Sequence, residues 1–337
     1  MEPSRRYLVA SALAAALASG LIACATQAPS GVGYARSPAL PAPPDPAENP
    51  TTPEKAALGK QLFFDKRLSG DGSMACQGCH FRHLGWTDGL PLSRKVGGGM
   101  NTRHTPTVYN TAYLSSWYWD GRAPTLEGQI TAAWKGQIGA DPAKASAVIA
   151  AIPGYQSQFE GVFSAAPNPD NIAKALAAFL RSLNSGEAPW DRYAAGDTTA
   201  VTADAAAGYQ LFTGKAGCAA CHRPPLFTDS QFHNIGLEAG KPQPDPGRFA
   251  VTKDPADMSA FKTPTLRSVA ISGPYFHDGS AASLEQAVRY MAAGGNPAAA
   301  KSGLLVDRKL SDKEISQIIA FLNSLTSEEV FTAPQLP

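Results

Sequence analysis

Two five-residue motifs restrict this chain more than anything else in its 337 residues. Cys76-Gln77-Gly78-Cys79-His80 and Cys218-Ala219-Ala220-Cys221-His222 both read C-x-x-C-H, the attachment signature of c-type haem. In such a site the two thiols add across the vinyl groups of the porphyrin, and the next residue places its imidazole on the iron. Zinc would need the four thiols as one closed ligand set, yet the pairs stand in opposite halves of the chain. A thioredoxin-like dithiol, or a disulfide between such near neighbours, leaves both histidines unexplained. Two covalent haem c groups are the reading, and redox chemistry is the default that follows.

The fifth cysteine, Cys24, ends a hydrophobic leader. Arg5 and Arg6 open residues 1–24, Tyr7 to Ile22 is apolar and alanine-rich, and Leu21-Ile22-Ala23-Cys24 resembles a lipobox. The expectation is a lipoprotein signal peptide with a lipid anchor at Cys24, ordinary cleavage nearby being the alternative. Residues 25–53 contain eight prolines and read as a semi-extended tether. The formal net charge of +1 gives no argument for nucleic acid.

An internal repeat divides the remainder. Gly59-Lys60-Gln61-Leu62-Phe63 precedes the first haem motif and Trp86-Thr87-Asp88 follows it. Gly208-Tyr209-Gln210-Leu211-Phe212 and Phe227-Thr228-Asp229 bracket the second in the same order. Apolar residues recur at helical spacing over Ile172–Leu183, Ser283–Met291 and Glu314–Leu325, with Ser283 and Asp312 at N-cap positions. No sustained period-2 alternation appears. The expected fold is mainly α: two cytochrome c-like haem domains with long irregular loops, over residues 54–197 and 198–337.

Several separated motifs then resemble bacterial di-haem cytochrome c peroxidases and the related di-haem maturation enzymes of methylamine utilisation. They are Leu62-Phe63-Phe64-Asp65, Arg67 to Gly72, Thr105-Pro106-Thr107-Val108, Trp119-Asp120-Gly121-Arg122, Phe261 to Arg267 and Gly273 to Gly279. The resemblance implies that the His80 haem meets peroxide and that the His222 haem transfers electrons. It implies Met291 as sixth ligand of the second iron, with Tyr290 the runner-up, and Trp119 as a relay between the haems. Arg122 and Arg267 become candidate partners of haem propionates, and His233 and His277 loop residues near haem. It further implies a periplasmic location, a small donor such as a cytochrome c or cupredoxin, and a homodimer. Calcium between the domains would take carbonyls of Ser272 and Pro274, with His104 at the side-chain amide position.

The chain departs from that pattern in two places. The distal-histidine position is Val96, which cannot ligate iron, so the first haem is expected to be open at rest, with His83, Met100 and His104 as substitutes. The distal-glutamate position is Gly139, which leaves Gln137 and Asp141 as the candidate groups for acid–base work. Three functions follow: a peroxidase reducing hydrogen peroxide to water, a di-haem oxidase that modifies a partner protein through a high-valent iron intermediate, and a non-catalytic electron carrier. Trp190 is the candidate exit for an oxidising equivalent in the second.

Overall fold

In a computed structural model that describes residue 1, residues 37–328 and residues 331–337, the repeat acts first as a packing device. Helix α1 (Pro53–Phe64) crosses α5 (Pro169–Ser182) at Gly59, where an added Cβ would lie 1.9 Å from the Ala175 carbonyl oxygen. Helix α7 (Ala203–Thr213) crosses α10 (Asp312–Asn323) at Gly208, where a Cβ would lie 1.9 Å from the Gln317 carbonyl oxygen. Only glycine permits either approach. Phe63 then packs on Phe179 and Phe212 on Phe321, at ring separations of 5.2 and 5.0 Å.

Between α1 and α5 lie α2 (Leu126–Gly136), α3 (Pro142–Ala150) and α4 (Pro153–Phe163). The short α6 (Pro189–Ala194) precedes α7, and α8 (Phe249–Thr252) and α9 (Leu284–Ala292) precede α10. Among the described residues the sheet is a single antiparallel pair, β1 (Phe232–His233) with β2 (Phe261–Lys262). Two hydrophobic cores result, one built from Leu58 to Leu183 and one from Trp190 to Leu325. The mainly helical reading holds. No helix of the described residues is long and apolar enough to cross a membrane.

Trp190 and α6 pack into the second core. Two local expectations change. The described part of the proline-rich segment is docked on the body: Ser37 Oγ donates to Asp191 at 2.7 Å, and Asn49 Nδ2 donates to Glu127 and to the Lys174 carbonyl. The proline composition did not reveal these polar anchors. Helix α10 is capped by Ser311, in a capping box with Glu314, and Asp312 is its first helical residue. Residues 2–24, including Cys24, lie outside the described residues.

A second correspondence joins residues 105–133 to 263–291 at one constant offset. Asn110 and Ser268 both take left-handed backbone, with φ of 60° and 57°, and each opens a 3-10 turn. Tyr118 and Phe276 are left-handed too, and Trp117 bridges Ala123 as Tyr275 bridges Ala281. Thr125 and Ser283 cap α2 and α9 in the same way. Both halves therefore repeat one module well beyond the haem motif.

Gly208→Ala should destabilise the folded protein by about 1–3 kcal/mol, the usual cost of overpacking. Gly161→Ala, in open space on α4, should not. Guanidinium unfolding of both variants measures the difference.

Candidate functional site

Each C-x-x-C-H motif opens on a cavity. The first, 390 Å³, is lined by Cys76, Cys79 and His80 together with Trp117, Tyr118, Trp119 and one face of α2. The second, 230 Å³, is lined by Cys218, Cys221 and His222 and by one face of α9.

The histidines are preset for metal. His80 Nδ1 lies 2.8 Å from the Trp86 carbonyl oxygen, and His222 Nδ1 lies 2.9 Å from that of Phe227. A carbonyl only accepts, so Nδ1 carries the proton and the Nε2 lone pair is left for a ligand. Burial holds both imidazoles below their ordinary pKa, so both are neutral, as an iron ligand must be. The partner carbonyls come from aromatic residues in left-handed backbone, Trp86 at φ 61° and Phe227 at φ 55°. That conformation is costly for a bulky side chain, and the second part of the sequence repeat (Trp86-Thr87-Asp88, Phe227-Thr228-Asp229) marks it.

Cys76, Cys79 and Cys218 are not poised as nucleophiles. Burial pushes Cys76 up to about 12 and Cys79 and Cys218 to about 11. The first cavity also holds two buried polar atoms without a partner, Trp117 Nε1 and Gln137 Oε1. Such orphans in a largely apolar cavity fit a bound group with both acceptor and donor functions. Thiols, neutral imidazoles and orphaned atoms together fit haem c.

The faces of α2 and α9 correspond position by position. Leu126, Gln129, Ile130, Ala133 and Trp134 line the first cavity, and Leu284, Ala287, Val288, Met291 and Ala292 line the second. Met291 thus presents a thioether to the second cavity where the first has only the methyl group of Ala133. Tyr290, the runner-up, is turned away: its hydroxyl donates to the Ile235 carbonyl at 2.9 Å. Trp119 lines both cavities and donates Nε1–H to the His104 carbonyl at 2.8 Å.

Other candidates are placed elsewhere. Asp141 is exposed and caps α3 through the Ala143 and Lys144 amides, so it does not line the cavity. The Asp-Pro pair at a helix start draws it there. Arg267 is 2% exposed and lines neither cavity. It pairs bidentately with Asp191 at 2.9 Å and donates Nε–H to the Pro225 carbonyl, a buried ion pair in place of a propionate contact. Arg122 does line the first cavity, but its guanidinium rests on the Tyr118 ring at 3.6 Å and pairs with Asp120.

His83 and Met100 are exposed, and Val96 packs against the first core with its amide on the Gln137 carbonyl. His104 lines the first cavity, its Nδ1 bound to the Leu90 carbonyl at 2.8 Å. Ser272 and Pro274 line it too, although the described clusters of potential metal-ligating side chains lie elsewhere. His233 and His277 line the second cavity, paired with Asp229 and Glu238 at 2.9 and 2.8 Å. No Asp or Glu is among the residues lining the first cavity. Sequence reasoning missed Lys95, Asn101 and Trp117 there, and Lys262, which lines both cavities and donates to the Ser116 carbonyl. The paired Thr-Pro-Thr segments, at 105–107 and 263–265, were the available signal for the second module.

A family model described as di-haem cytochrome c peroxidase matches residues 53–199, and one described as cytochrome c matches residues 205–326. The methylamine utilization protein MauG of Methylorubrum extorquens is 45% identical over 87% of this chain and 84% of its own length. The cytochrome-c peroxidase IdrP1 of Denitromonas iodatirespirans is 37% identical over 95% of this chain and 96% of its own. A crystal structure of a MauG-like protein associated with microbial copper homeostasis superposes with a TM-score of 0.82 at 32% identity, covering 86% of this chain and 94% of that one.

Ala133→Met, which gives the first cavity the thioether that Met291 gives the second, should close the first site to small ligands. Optical titration of the oxidised holoprotein with cyanide measures this: the variant should lose cyanide binding at the first haem, and Met291→Ala should gain it at the second.

Proposed function

This chain belongs to the di-haem cytochrome c peroxidase family, and from that premise we propose a periplasmic c-type peroxidase, lipid-anchored at Cys24. It reduces hydrogen peroxide to water with electrons from a small redox protein. The observation that carries the reading is one pair of corresponding helical positions, Ala133 in the first cavity against the thioether of Met291 in the second. A methyl group leaves room for a small oxygen ligand, whereas a thioether at Met291 would help hold the second haem and would raise the reduction potential of an iron it bound. When bound, the first haem supplies the iron at which the O–O bond is broken, and the second supplies electrons.

The chain's own residues do the rest. The Trp86 carbonyl holds His80 in one orientation and makes its Nε2 the more basic. Gln137 Oε1, buried without a partner, accepts an O–H of bound peroxide, and its Nε2 rests 3.5 Å from Asn101 Oδ1. With no carboxylate in the cavity, His104 is the group that takes a proton: Nδ1–H is spent on Leu90, so Nε2 is the acceptor. Trp119, lining both cavities, serves the electron path between them.

The second reading is oxidation of a partner protein. The absence of a carboxylate from the first cavity favours it, because slow proton delivery to the leaving oxygen would limit peroxide turnover. The test is peroxide-dependent oxidation of a reduced small cytochrome c by the fully oxidised holoprotein, without prereduction. Steady turnover is expected. Gln137→Leu should lower kcat/KM about tenfold, the worth of one hydrogen bond in the transition state. Asp141→Asn, which caps α3 equally well, should leave it unchanged. A response of the haem spectrum to peroxide without donor turnover would favour the second reading.

A further inference from the structure

We propose that the second module carries a one-electron port, a relay of rings from its haem cavity through Trp190 to Tyr209 and Tyr193 at the surface. The path begins at the proximal histidine. His222 Nδ1 bonds the Phe227 carbonyl, and the Phe227 ring lies 5.7 Å from Phe321. Phe212, which lines the cavity, lies 5.0 Å from the same ring. Phe321 meets Trp190 edge-on at 4.8 Å, and Trp190 lies 4.3 Å from Tyr209 and 5.2 Å from Tyr193. Trp190 is buried, and both tyrosines reach the protein surface.

The chemistry of these rings divides their roles. A phenyl ring is too hard to oxidise to hold a charge, so Phe321 is a bridge. Indole and phenol lose an electron far more readily, so Trp190 is the first stopping place and the tyrosines the second. The first module packs Phe63, Trp86 and Phe179 in a comparable cluster. There the residue after the helix-crossing glycine is Lys60, where the second module has Tyr209. The repeat thus places an oxidisable ring at this surface position in the second module and a cation in the first.

One electron passes from Trp190, by way of the second haem site, to the oxidising equivalent that hydrogen peroxide would leave at the first, and an indole radical cation remains. Tyr209 or Tyr193 returns an electron to the indole while its phenolic proton leaves to water. An external one-electron donor, with a proton from water, restores the tyrosine. Hydrogen peroxide is the oxidant that sets this in motion, so the physiological use of the port rests on the peroxidase reading.

The test needs no peroxide. A ruthenium–polypyridyl photo-oxidant is tethered through Ala194→Cys, an exposed position beside Tyr193, in holoprotein whose second haem is reduced. A flash oxidises the complex, and loss of ferrous absorbance at that haem is followed in time. Trp190→Phe should slow this step by at least roughly tenfold, and Trp190→Tyr should restore much of the rate. Tyr193→Phe with Tyr209→Phe, which removes only two hydroxyls and spares the packing, should slow it as well. Equal rates in all four proteins would show that electrons bypass these rings and would overturn the port. Failure of the peroxidase reading would appear separately, as oxidised holoprotein that does not respond to peroxide.

Discussion

The structure depends on a hydrogen bond made twice, from the Nδ1–H of a proximal histidine to the carbonyl of an aromatic residue in left-handed backbone. His80 is held by Trp86, and His222 by Phe227. Each carbonyl is aimed only because its residue accepts an unfavourable φ. That cost is met by burying the aromatic ring in its core: Trp86 against Phe63 and Phe179, Phe227 against Phe212 and Phe321. The same rings pack beside the glycine crossings of α1 with α5 and α7 with α10. Helix packing, backbone strain and the basicity of the iron ligand are therefore one arrangement.

The proposed function rests on where the two copies differ. Their backbones repeat the same turns and caps, and the same five positions of a helix face each cavity. Three of the substitutions within that frame bear on the haem sites. Ala133 stands where the other copy has Met291, Trp119 where it has His277, and Tyr109 where it has Arg267. The first puts a methyl group in one cavity and a soft thioether in the other. The second places an indole along both cavities. The third replaces a packed phenol in the first core with a buried ion pair to Asp191, worth little in net stability when intact but costly to break. A duplicated module has been specialised by side-chain exchange, with the scaffold left alone.

Much of this was legible in the sequence, for identifiable reasons. Haem attachment needs two thiols and an imidazole at fixed spacing, so local sequence specifies it. The helices with strong apolar faces, α5, α9 and α10, were readable for the same local reason. What could not be read was set by contacts distant in sequence. Asp141 and Gln137 are near neighbours in the chain, yet the turn into α3 sends one to solvent while the other stays at the cavity. Arg267 has a partner 76 residues away. The docking of residues 37–52 depends on Asp191, Glu127 and Lys174, none of them near in sequence. Met291 and Tyr290 are adjacent and both chemically able to ligate iron, and only the rotation of α9 separates them.

The central claim is that one iron is open and the other closed. Electron paramagnetic resonance of the oxidised holoprotein, with near-infrared magnetic circular dichroism to identify axial ligands, tests it directly. The account predicts one high-spin ferric haem, from the His80 site, and one low-spin ferric haem with histidine and methionine ligands. Two low-spin haems, with a second nitrogen ligand at the His80 site, would contradict it.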